Sequence, residues 1–120
     1  MAMQRLAVNL PVLIARMPTV MEDPIYATPK GRRLTQHARE SLIRHGFQEP
    51  FNLIDDIIDN ASRVATQNDG ASVYIRRVER RRRSYDIVIE SDKGIITAMR
   101  HLTRRELKNL GRNYGFDPIP

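Results

Sequence analysis

The apolar residues of this 120-residue chain change their period once, and that switch restricts the fold more than any other feature. From Leu34 to Ala61 they recur at helical spacing; from Arg63 to His101 they alternate as in a strand. Thr35 reads as the N-cap of a helix running to about His45, with Gly46 as its stop. Leu34, Ala38 and Leu42 mark its buried stripe, beside a second stripe of His37, Ser41 and Arg44. After Pro50 a second helix turns Ile54, Ile57, Ile58 and Ala61 inward and places Asp55, Asp56 and Asp59 on its outer face.

Residues 63–68 and 71–79 flank Asn68–Asp69–Gly70, a hairpin signal because these residues tolerate positive φ. Ser84–Glu90 alternates Tyr85, Ile87 and Ile89 with Asp86, Val88 and Glu90; Ser91–Gly94 turns the chain, and Ile95–His101 is the last strand. Thr103 and Glu106 then form a capping box, Leu102 and Leu107 a hydrophobic staple, and Gly111 suits the C′ position. The expected fold is α+β, with N-terminal helices packed on one face of a four-stranded antiparallel sheet and a short basic C-terminal helix. Residues 34–120 would form this domain. Residues 1–33, punctuated by Pro11, Pro18, Pro24 and Pro29, read as an N-terminal arm or linker that packs on it.

With 41% hydrophobic and 28% charged residues the composition is that of a globular protein. The absence of Cys removes disulfides, thiolate nucleophiles and Cys-ligated metals. No apolar run approaches the ~20 residues of a membrane span. The most apolar stretch, Asn9–Ala15, is broken by Pro11 and reads as non-secretory. No two of the three His residues have the spacing of a ligand pair, so neither metal nor cofactor is expected.

The formal charge of +6 resides in the second half, since residues 1–60 are balanced. Arg supplies 17 of the 20 bases, and guanidinium is the group that grips phosphate bidentately. Arg76, Arg77 and Arg80 to Arg83 lie along one strand, its hairpin and the start of the next, forming a ribbon suited to RNA or DNA. The plainer reading is a solvated tip that protects sheet edges. Arg100, Arg104, Arg105 and Lys108 extend the basic surface. Tyr74 and Arg76 alternate with the more apolar Val73 and Ile75, so they should point away from the core, onto a sheet face open to substrate. His101, beside Arg100 at a strand end, is the stronger candidate for proton transfer. His37 suits a structural or a catalytic role, and His45 suits a C-terminal dipole cap.

Leu34–Thr35–Gln36–His37–Ala38–Arg39, followed by Arg44–His45–Gly46, resembles the opening of the barnase–EndoU–colicin–RelE (BECR) group of nuclease-like domains. Gly94–Ile95–Ile96–Thr97–Ala98–Met99 is similar to the group's last core strand. The resemblance covers residues 34–113 and implies a metal-independent RNase toxin used in bacterial competition or a toxin–antitoxin pair. By position it implies His37 and Thr97 as catalytic residues and Arg76 and Arg100 as phosphate contacts. No agreed catalytic set aligns onto Tyr74, Tyr85 or His101.

The resulting expectation is a ribonuclease that cleaves tRNA or another structured RNA by 2′-hydroxyl attack, using His37, Tyr74, Arg76, Thr97 and His101. Its partners would be RNA and an acidic immunity or antitoxin protein, with no membrane. It would act in the target cell's cytoplasm, delivered as part of a larger secreted protein. The rival reading is a non-catalytic nucleic-acid-binding module, such as a repressor or ribosome-associated factor; a third is an adaptor or immunity-type protein.

Overall fold

The computed structural model describes residues 25–80 and 82–118. The apolar segment 9–15 and Arg81 therefore lie outside the described residues. Nine elements follow in order: β1 (Ile25–Ala27), β2 (Arg33–Thr35), α1 (Gln36–Arg44), α2 (Asn52–Asp59), β3 (Arg63–Thr66), β4 (Ser72–Glu79), β5 (Arg83–Ser91), β6 (Gly94–Leu102) and α3 (Arg104–Tyr114). The class is α+β, and the sheet is larger than expected. It has six strands in the order β1-β2-β6-β5-β4-β3, mixed because β2 pairs in parallel with β6 at Leu34 and Ile95. Of the two additional strands, β1 lies inside the segment read as an arm, residues 1–33, and β2 spans its end. At three residues each they are too short to show an alternation.

Helices also cover both faces of the sheet, correcting the one-sided arrangement. One layer joins Leu34, Ala38, Leu42, Phe47, Phe51, Ile54 and Ile57 to Val88, Ile95 and Ala98 beneath α1 and α2. The other joins Val73, Ile75, Tyr85, Ile87 and Ile89 to Leu107 and Phe116 beneath α3. Val88 and its neighbours Ile87 and Ile89 are all buried, so this strand requires cover on both sides. Each fully buried Leu or Ile contributes ~1.5–3 kcal/mol relative to its exposed state.

Local chemistry sets the element ends. Thr35 caps α1 by accepting from the Ala38 N–H, and the Thr103–Glu106 capping box forms at α3. The expected stop at Gly111 is displaced: α3 runs on to Tyr114, and Gly115 adopts the left-handed cap. Gly111 instead admits the returning tail, since a Cβ there would lie 2.7 Å from the Phe116 carbonyl oxygen. Gly94 has φ +125° where β2 crosses closely; a Cβ would stand 2.5 Å from the Arg33 carbonyl oxygen.

Asp55 corrects the expected outer acidic face of α2, because it is only 3% exposed. The turn between β1 and β2 folds over it. Asp55 accepts from Thr28 Oγ1 at 2.7 Å, the Lys30 N–H at 2.9 Å and Arg32 Nη1 at 2.7 Å. Burial alone would raise its carboxyl pKa; these donors and the Arg32 charge outweigh that and hold it below its ordinary value. Asp59 extends the clamp by pairing with Arg32 and Lys30.

Candidate nucleic-acid interface

The β4–β5 ladder continues past the last β3 pair at Ile75 to Glu79 and Arg83, and a cleft of about 490 Å³ lies against that hairpin. Arg76, Val78 and Arg80 line it from β4 and its turn, Arg82, Arg83, Ser84 and Asp86 from the turn and β5, and Arg100 to Thr103 from β6 and the α3 cap. These residues come together because β4 and β5 pair in register, with Arg76 opposite Asp86 and Val78 opposite Ser84.

Asp86, only 2% exposed, organises the floor. Its Oδ2 accepts from Arg76 Nη2 at 2.9 Å, and its Oδ1 accepts from the His101 N–H at 3.1 Å. The second bond holds a β-bulge. Ile87 pairs with Met99 but Tyr85 pairs with Leu102, so Arg100 and His101 both stand against Asp86. His101 carries φ +59°, the one described non-Gly residue with positive φ. A left-handed non-Gly residue costs ~1–2 kcal/mol, whereas a hydrogen bond to a charged group contributes ~1.5–3 kcal/mol. The carboxylate can therefore hold the bend, leaving the His101 side chain exposed at the cleft wall.

The cations of the cleft differ in availability. Arg76 is committed, bound to Asp86 and, at 2.6 Å, to Asp56 of α2. Arg83 and Arg77 both reach Glu79, at 3.4 and 3.1 Å. Arg80, Arg82 and Arg100 make no ion pair with the described residues. Arg100 Nε and Arg76 Nε are also buried donors without an acceptor among the described residues.

The structure thus gathers Arg76, Arg80, Arg82, Arg83, Arg100 and His101 of the expected set and separates the other described members. Tyr74 does not face an open surface. It packs into the layer under α1 and α2 and donates to Glu90 Oε1 at 3.2 Å. Burial, then the Glu90 charge, raises its phenol above the ordinary value, so it is a poor base near neutral pH. Thr97 pairs with Ile89 and shares the α3 face, whereas His37 is exposed on α1 across the sheet. Arg77 points to the face opposite Arg76 by strand alternation. Arg104, Arg105 and Lys108 form an exposed basic surface on α3, continued by Arg112. Among the described residues, α1 and α2 cover the face expected to be open to substrate, and the cleft lies at its hairpin end.

Compared with known proteins, the chain matches no family model, no curated protein and no solved structure. Among the described residues no helix is long and apolar enough to cross a membrane.

Asp86 and the bulge are the parts of the site that sequence reasoning missed. A signal for Asp86 was present. A hairpin centred on Arg81 places residue 86 opposite residue 76, and an Asp between apolar strand residues facing an Arg marks a buried pair. Nothing in the residues Arg100–His101 marks a left-handed bulge.

Proposed function

We propose that this protein is an RNA-binding module that holds the phosphate backbone in the Arg cleft. The observation that carries the reading is the division of labour there. Asp86 and Asp56 fix Arg76 as part of the wall, while Arg80, Arg82 and Arg100, which make no ion pair with the described residues, line the same recess. Unpaired guanidinium groups in a recess are matched by phosphate oxygens, which accept bidentate, charge-assisted bonds. Labelled RNA titrated over a range of salt tests this. Three phosphate contacts give a log–log salt slope of about −2 to −3, and replacing Arg80, Arg82 and Arg100 together with Gln should remove most of it. Wild-type binding that is absent, or unchanged in the triple variant, refutes the reading.

Cleavage is a second reading, favoured by the position of His101. An imidazole beside the phosphate-binding cations can take the ribose 2′-hydroxyl proton as the 2′-oxygen bonds to phosphorus, then pass it to the 5′-oxygen as the P–O5′ bond breaks, with Arg100 stabilising the phosphorane charge; the products are a 2′,3′-cyclic phosphate and a 5′-hydroxyl. In that case the toxin setting and an acidic partner covering the cleft follow as proposals. Incubation with total RNA in EDTA decides it: product from the wild type and none from His101→Gln supports cleavage, and intact RNA with both leaves a binding module alone.

A further inference from the structure

Resting on the RNA-binding reading, we infer that the cleft takes an unpaired strand, one nucleotide entering the recess, and rejects duplex RNA. A duplex presents phosphates on a convex cylinder, with its bases stacked inward. The cleft is concave instead. Its deeper cations, Arg76 at 17% side-chain exposure and half-buried Arg100, line a volume of about 490 Å³ that the exposed Arg80, Arg82 and Arg83 also border. That volume falls in the ~300–1,000 Å³ range of small-ligand pockets, suited to a nucleotide but not to a double helix. Val78 supplies a half-buried apolar patch on the same wall, between Arg76 and Arg80 in the strand alternation. Among the described residues no aromatic side chain lines the cleft, so a base entering it meets guanidinium planes and Val78. This mode is tolerant of base identity, because every base offers a flat face.

The exposed bases of α3 provide the internal contrast. Arg104, Arg105, Lys108 and Arg112 are exposed on α3 and line recesses of about 400 and 470 Å³ that are more open to solvent than the cleft. A duplex would reach those groups without entering the cleft.

The test measures fluorescence anisotropy at one salt concentration, with an oligouridine of about eight nucleotides and a blunt RNA duplex of the same length. The single strand should bind tighter by about tenfold or more. Arg100→Gln should weaken that binding, and Arg104→Gln with Lys108→Gln should weaken it less; thermal melts show that both variants are folded. Equal or tighter duplex binding, or a larger loss from the α3 variant, overturns the single-strand inference and leaves RNA binding standing. Binding of neither RNA overturns both.

Discussion

His101 offers a direct measure of what Asp86 does. Its φ of +59° is unfavourable for any residue with a Cβ, and its side chain is exposed, so substitution removes little packing. His101→Ala deletes the imidazole but keeps the strained backbone. His101→Gly deletes the same group and also relieves ~1–2 kcal/mol of left-handed strain, offset by ~0.5–1 kcal/mol of added unfolded-state entropy. The Gly variant should therefore be more stable than the Ala variant by roughly 0.5–1 kcal/mol, a Tm difference of about 2–8 °C for a domain of this size. Calorimetric melts of both variants under one buffer condition measure the difference. An Ala variant as stable as the Gly variant, or more so, refutes the argument that the Asp86 carboxylate holds His101 in a costly conformation.

Asp55→Asn puts an amide donor where Asp55 accepts from Thr28, Lys30 and Arg32, and should cost about 2–3 kcal/mol by urea denaturation at pH 7. Because the Asp55 pKa is depressed on folding, its contribution is full above its unfolded value of about 4 and is lost as pH falls through the lower folded value; the gap between wild type and variant should therefore close only below about pH 4. Asp56→Asn releases Arg76 from its exposed partner and should tighten RNA binding while changing stability by no more than ~1 kcal/mol, as a titration and a melt would show. Gly111→Ala gains helix propensity, yet its methyl meets the Phe116 carbonyl and the Pro118 ring; a net loss of ~1–3 kcal/mol is expected in denaturation.

Elements with strong local chemistry were readable from the residues alone. Thr35 and Thr103 mark helix starts through a hydroxyl and its near neighbours, and the Asn68–Asp69–Gly70 turn sets the β3–β4 hairpin, so both signals survive without tertiary information. What depends on distant partners was not readable. Asp55 looks like a surface residue of an amphipathic helix until the Thr28–Arg32 turn covers it. Apolar residues at both parities of β5 require cover on both faces, which a one-sided helix layer does not provide. The site divides likewise. Its Arg residues announce themselves by composition, whereas Asp86, the bulge at His101 and the separation of His37 from Thr97 are consequences of register.

The parallel contact between Leu34 and Ile95 imposes an order on folding. The β3–β6 meander is built from neighbouring hairpins and can form from local contacts. Strand β2 must instead close a loop of some sixty residues, at ~3–4 kcal/mol of chain entropy, before its apolar neighbours are rewarded. The layer under α1 and α2 needs Val88, Ile95 and Ala98, all from the last third of the chain. A nascent chain therefore leaves Leu42, Phe47 and Ile54 without their sheet until β6 has emerged. The meander acts as the template on which the earlier-synthesised half is assembled.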